Sequence, residues 1–175
     1  MTPVRRRLLF AGVGAAALAA GFLLAGQRRS ASPQPDAAFT LLNTRLTDLD
    51  GRARTLKDYR GKVLVINYWA TWCAPCREEI PLFVRLQREY AAKNVQFVGI
   101  AIDQADKVRD FAREFAINYP LFMGGIDAVE QSRKAGNRAG VLPFTLLIRS
   151  DGGIAVGLTG TMTEERLRQQ LGPLL

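Results

Sequence analysis

The sequence predicts an α/β protein: a mixed central sheet flanked by helices on both faces. Three observations lead there. Val63 to Trp69 is a continuous run, apolar but for Asn67 and rich in β-branched residues, of the kind buried on both faces of a sheet, and Val95 to Ile102 reads as a second central strand. Stretches of helical periodicity alternate with them, and the chain closes on a strand, a turn, a strand and a helix.

Each element has its own reason. Asp48-Leu49-Asp50-Gly51 predicts a tight turn, because Asp-Gly supplies the positive φ angles such turns need, and Arg52 to Leu56 returns as the second arm of a hairpin. After the first long strand, Ile80, Phe83, Leu86 and Tyr90 recur at helical spacing and predict a helix from about Ala74 to Ala92, with Pro81 inside it as a kink. The second strand leads into another helix, whose Val108, Phe111, Ala112 and Phe115 share one face. Asp127-Ala128-Val129-Glu130 reads as a capping box opening a short helix that ends near Gly136. Phe144 to Arg149 and Ile154 to Leu158 form a hairpin about Ser150-Asp151-Gly152-Gly153. A last helix starts near Thr163, with Glu164 and Glu165 against the positive end of its dipole.

Residues 1–27 read as a signal anchor. Arg5-Arg6-Arg7 precede an uncharged run of 19 residues, Leu8 to Gly26. As a helix it would reach roughly 28 Å, close to the ~30 Å of a bilayer core. It is longer than the apolar region of an ordinary signal peptide, and Arg28, Arg29 and Pro33 spoil the cleavage candidates around Ser30-Ala31-Ser32, which favours an uncleaved anchor. Arg5-Arg6-Arg7-Leu8-Leu9 also resembles a twin-arginine export signal. Either reading puts the main domain outside the cytoplasm, as does the excess of arginine before the span over that after it. A buried N-terminal helix of a cytosolic protein is the remaining alternative. Residues 28–37, with Ser and Pro, read as a linker, and residues 38–175 as one domain. Of the chain's net charge of +8, five arginines (Arg5, Arg6, Arg7, Arg28 and Arg29) lie before residue 36. The basic residues beyond are scattered, with no basic-aromatic stripe, so no nucleic-acid partner is expected.

The chain has no histidine and two cysteines, Cys73 and Cys76, two residues apart in Trp72-Cys73-Ala74-Pro75-Cys76. Two sulfurs cannot close a four-ligand zinc site, and a cysteine nucleophile with an imidazole base is impossible. No metal or cofactor is expected; thiol–disulfide exchange needs the two sulfurs alone. The pair falls where a central strand hands over to a helix. There the unpaired N–H groups and positive dipole end favour a thiolate at Cys73 over a thiol. Cys76 lies less than one turn on, deeper and within reach of a disulfide, while Pro75 stiffens the first turn and has no N–H to leave unsatisfied. A disulfide that only stapled so short a loop would remove little unfolded-chain entropy. The expected chemistry is attack by Cys73 on a partner's disulfide and resolution of the mixed disulfide by Cys76.

The string Asn67-Tyr68-Trp69-Ala70-Thr71-Trp72-Cys73-Ala74-Pro75-Cys76-Arg77-Glu78-Glu79-Ile80-Pro81, with the later Gly140-Val141-Leu142-Pro143-Phe144-Thr145, resembles the thioredoxin-like superfamily. More narrowly, it is similar to the TlpA/ResA-like group of membrane-anchored, extracytoplasmic thiol–disulfide oxidoreductases, over about residues 38–172. The resemblance implies a thioredoxin-like fold with an N-terminal hairpin and an inserted βα unit over roughly Gln104 to Ile126. It further implies a redox-active Cys73–Cys76 disulfide faced by a cis-proline at Pro143. Leu142 would then offer its backbone to an extended substrate segment beside Trp72; on its residues alone, Pro143 is a strand-start proline. The strand position that carries a buried carboxylate in thioredoxin is Asn67 here. The acidic residue of the group that follows the second central strand falls at or near Asp103, which the resemblance casts as proton acceptor of Cys76 and tuner of the thiol pKa values. Read on its own, Asp103 is a helix cap. Arg77 and Glu79, beside the cysteines, read as a solvated helix face. Met123-Gly124-Gly125-Ile126 departs from the group by lacking its aspartate.

The function expected is that of an exported protein-disulfide reductase, re-reduced by a membrane thiol donor and acting on disulfide-bearing clients, with apocytochrome c and copper-site proteins implied by the resemblance. Two alternatives stand beside it. A thiol peroxidase would want Pro-x-x-x-Thr/Ser-x-x-Cys, but Ala70 stands three residues before Cys73 and Ile66 seven before. A non-enzymatic copper chaperone could use the two thiolates, although no clustered methionines assist.

Overall fold

The computed structural model describes residues 35–175; the anchor expected over residues 1–27 lies outside the described residues. In chain order the elements are helix α1 (Pro35–Asn43), strands β1 (Leu46–Asp48) and β2 (Ala53–Arg54), strand β3 (Val63–Trp69), helix α2 (Ala74–Tyr90) and strand β4 (Val95–Ala101). Helix α3 (Ala105–Glu114), strand β5 (Leu121–Met123), helix α4 (Gly125–Lys134), strands β6 (Phe144–Ile148) and β7 (Ile154–Thr159), and helix α5 (Glu164–Leu171) follow.

The strands make one seven-stranded mixed sheet in the order β2-β1-β5-β4-β3-β6-β7. All seven residues of β3 are buried, as its largely apolar run leads one to expect, the polar Asn67 among them. It pairs in parallel with β4 and antiparallel with β6, so that Asn67 lies between Gly99 and Thr145. Side chains alternate along β3. Val63, Val65 and Trp69 enter a core shared with Ile80, Phe83 and Leu86 of α2, Phe111 of α3 and Leu167 of α5. Leu64, Ile66 and Tyr68 enter a second core with Leu41 of α1 and Ala128 of α4. Helices therefore cover both faces, as expected.

Three local expectations are corrected. Residues 35–37, read as the end of a linker, begin α1. A nine-residue helix has little stability of its own, and this one is held by burial of Ala38, Leu41 and Leu42. The inserted unit runs helix first and strand second, with β5 parallel to β4; three residues of strand leave no periodic signal. The capping box at Asp127 does not form. Helix α4 starts at Gly125 with Gly124 at the cap position and no side-chain cap bond, leaving Asp127 in the first turn.

The hairpin turn behaves as its residues predict: Asp48 Oδ1 accepts the N–H of Asp50 at 3.0 Å and of Arg52 at 2.8 Å, and Gly51 has φ 81°. Thr163 caps α5, its hydroxyl accepting the Arg166 N–H at 3.3 Å.

Candidate active site

Strand β3 ends at Trp69, and the turn Ala70-Thr71-Trp72 delivers the chain to α2 with Cys73 at its N-cap. Cys73 has extended backbone angles, and its sulfur accepts the Cys76 N–H at 3.3 Å, which is what a capping side chain does for an orphan helix donor. Pro75 occupies the first turn, where no N–H is missed. Cys73 and Cys76 form a disulfide with a Cα–Cα separation of 5.3 Å. Cys73 retains 6% exposure and Cys76 none, while the neighbouring Trp72 is 69% exposed. Both cysteines are thus buried, Cys73 being the less enclosed of the two and next in sequence to an exposed apolar side chain.

The Leu142–Pro143 peptide is cis. Pro143 is buried and opens β6, whose first residue, Phe144, pairs with Tyr68 of β3, so the loop before it stands at the end of the sheet where the cysteines lie. Leu142 is half-buried and packs against the core that holds Cys73 and Cys76.

Asp103 has a different place from both roles weighed for it. Its Oδ2 accepts the Thr71 N–H at 3.0 Å and the Thr71 hydroxyl, and its Oδ1 accepts the Gln104 N–H at 2.8 Å. Gln104, not Asp103, stands at the cap position of α3, and its side chain makes no cap bond. Partial burial works against the Asp103 charge, but the Thr71 hydroxyl and the two backbone donors outweigh it and hold the carboxyl below its ordinary range. Asp103 thus pins the turn two residues before Cys73 and is a weak base.

The carboxyl beside Cys76 is Glu79. Three residues apart on a helix, the two side chains are neighbours on one face, and Glu79 is only 1% exposed. Its Oε1 accepts from Asn67 Nδ2 at 2.8 Å and its Oε2 from the Met162 N–H at 2.7 Å. Burial pushes its pKa up to about 7 against the partial opposition of those two donors. The reading of Glu79 as part of a solvated face is therefore corrected. A signal was present: Glu79 is three residues after Cys76 and four before Phe83, on the apolar face of α2. Arg77 is exposed as expected, with its guanidinium 4.9 Å above the Phe111 ring and 5.4 Å from that of Phe115.

This arrangement can exchange two electrons between a sulfur pair and an outside disulfide, and it holds a proton site at neutral pH next to the buried sulfur. Comparisons with known proteins give the family and the enzyme class. The profile of the AhpC/TSA family matches residues 35–156. Thiol-disulfide oxidoreductase ResA of Geobacillus thermodenitrificans (strain NG80-2) is 37% identical over 127 residues, 72% of this chain and 71% of that protein. ResA of Bacillus subtilis (strain 168) is 29% identical over 131 residues, 72% and 69% of the two chains. Among solved structures, a thioredoxin-related protein from Neisseria meningitidis serogroup B superposes with a TM-score of 0.67 at 30% identity, covering 74% of this chain and 97% of its own. A thiol:disulfide interchange protein from Chlorobium tepidum TLS does so with a TM-score of 0.67 at 24% identity, over 83% and 98%. The enzyme class is that of a thiol–disulfide oxidoreductase, and the chain belongs to the AhpC/TSA family of thioredoxin-fold proteins, alongside the ResA oxidoreductases.

Proposed function

We propose that the chain is a membrane-anchored, extracytoplasmic reductase of protein disulfides that works through the Cys73/Cys76 pair. The observation that carries this reading is the asymmetry of the pair: Cys73 is at the helix cap, next to exposed Trp72, and Cys76 is fully buried one turn before the buried Glu79.

In the reduced enzyme the Cys73 thiolate attacks one sulfur of a client disulfide. A Cys73–client bond forms, the client S–S bond breaks, and the first client sulfur leaves as a thiolate. Cys76 then gives its proton to Glu79, a carboxylate whose pKa near 7 matches that task. The Cys76 thiolate attacks Cys73, the mixed disulfide breaks, and the second client thiolate departs. Two electrons have passed to the client, and the enzyme is left with the Cys73–Cys76 disulfide. Asp103, already charged and bound to Thr71, keeps the turn before Cys73 in place. Trp72 and the backbone of Leu142 receive the client as an extended segment.

The uncharged run Leu8 to Gly26 behind three arginines supports the anchor and the extracytoplasmic address. Apocytochrome c and copper-site proteins are the clients proposed, and a membrane thiol donor restores the dithiol. Peroxidase chemistry is disfavoured by Ala70 and Ile66 at the positions where Thr/Ser and Pro would be wanted.

The test is capture with Cys76→Ser, which should stall at the mixed disulfide. Recovery of disulfide-linked exported proteins, released by reductant and absent with Cys73→Ser, is the expected result. Peroxide consumption by the reduced enzyme at the rate of its disulfide reduction would overturn the reading.

A further inference from the structure

Asn67 is a buried amide with one end occupied. Its Nδ2 donates to Glu79 Oε1 at 2.8 Å and lies 3.4 Å from Thr145 Oγ1, while its Oδ1 is buried with no hydrogen-bond partner among the described residues. A buried polar atom left unpaired costs free energy and calls for an explanation. The explanation lies across the contact, because Glu79 has two states with opposite needs. As a carboxylate it accepts only; as an acid one oxygen carries a hydrogen and must donate. The Met162 N–H fixes which oxygen that is. Oε2 faces a backbone donor that cannot turn away, so the proton goes to Oε1, the atom facing Asn67. In the present orientation two donors would then confront each other.

We infer that Asn67 is a two-position partner of Glu79, its amide turning end for end as the carboxyl gains or loses its proton. Toward the carboxylate it presents Nδ2–H; toward the acid it presents Oδ1. Oxygen and NH2 are nearly equal in size, so the half-turn needs no extra space. The turn also places Oδ1 within reach of Thr145, whose hydroxyl can donate as well as accept. One end of the amide is unpaired in either orientation, so the exchange leaves the count of unpaired atoms unchanged. A carboxylate at position 67 would instead add a second buried charge beside the first, and an apolar residue would serve neither state. Asn67 is a positioning residue, acting through Glu79, and its role rests on the reading of Glu79 as the proton acceptor of Cys76. The titratable groups facing Glu79 are Cys76 on its own helix and Tyr119 from the segment before β5, whose phenol is pushed up by burial and by the Glu79 charge. The strand side presents the neutral Asn67 and Thr145, and the loop side the Met162 N–H.

The experiment follows the Glu79 side-chain carboxyl and the Asn67 side-chain amide by NMR in the reduced, isotopically labelled full-length chain, from about pH 5 to about pH 9. The Asn67 amide hydrogens should be bonded and protected from solvent exchange at high pH. They should become unbonded and exchange faster as Glu79 protonates, with the same midpoint. Glu79→Gln supplies the second measurement. Met162 N–H holds the Gln oxygen, so its NH2 faces Asn67 permanently, and the amide should show the low-pH signature at every pH. An Asn67 amide that stays bonded and protected while Glu79 titrates, or that keeps its high-pH signature in Glu79→Gln, overturns the switch and leaves the proton role of Glu79 standing. A Glu79 carboxyl that does not titrate over this range overturns both.

Discussion

The Oε2 of Glu79 accepts the backbone N–H of Met162 at 2.7 Å, joining the active-site helix to the loop before the last helix across 83 residues of sequence. A titrating group is thereby built into the packing of the domain. Its folded pKa of about 7 stands above the 4.5 of the free side chain, so its contribution to stability is fully present below about pH 4.5 and is lost as pH rises through 7. The oxidised protein should lose about 3 kcal/mol between those limits from this group alone. Glu79→Gln, which cannot ionise, should flatten that loss: chemical denaturation at pH 8 should find the variant more stable than wild type, with the gain vanishing at pH 4. Parallel curves for the two proteins would refute the assignment.

Catalysis should respond oppositely. Without the Glu79 carboxylate, Cys76 has no base beside it, and resolution of the mixed disulfide should slow by about 10²-fold. Quench-flow with a single-turnover client should show the mixed disulfide accumulating in Glu79→Gln, with its formation by Cys73 unchanged.

Asp103→Asn separates the two acids. The variant keeps a hydrogen-bond acceptor for Thr71 but loses the charge, which should cost about 1–2 kcal/mol of stability. Because the folded pKa of Asp103 is lowered, that stabilisation is present above its unfolded value of 3.8 and disappears as pH falls through the lower folded one, so wild type and variant should converge in strong acid. The pH midpoint of the resolving step should stay where it is in wild type.

Trp72 is 69% exposed and should contribute little to folding. Trp72→Ala should leave the unfolding midpoint within about 0.5 kcal/mol of wild type. It should raise KM for protein disulfides while the rate with a small aliphatic disulfide is unchanged. Equal losses on both substrates would remove Trp72 from client binding.

Gly99 lies opposite Asn67 on β4. A Cβ there would meet Leu121 Cδ2 at 2.5 Å and Trp69 Nε1 at 2.9 Å. Leu121 can yield, but the indole is fully buried behind the active-site turn. Gly99→Ala should therefore destabilise by about 1–3 kcal/mol, as overpacking does, in equilibrium urea unfolding.

Much of this was legible in the residues. The run Val63 to Trp69, apolar except for Asn67, marked out β3 because a strand buried on both faces favours apolar, β-branched residues. Glu164 and Glu165, set against the positive end of the dipole, announced the last helix after Thr163. What escaped depended on partners distant in sequence. The first helix is held by contacts from Leu41 and Leu42 that no local pattern reveals, and β5 is three residues long. Glu79 was misjudged because charge was weighed above position. Its carboxyl is tolerated inside by two donors, one of them a backbone N–H 83 residues away. Asp103, conversely, is a proton site only by the family resemblance, whereas its bonds to Thr71 hold its carboxyl below the ordinary range.

The sheet ends unequally. On one side lies β2, two residues long; on the other β7, six residues without a charge, pairs among the described residues with β6 alone. An uncharged border strand of that length is a template for unwanted pairing, so crowding during biogenesis should drive self-association from the β7 flank, and a lysine placed at an outward position there is the natural means of improving solubility.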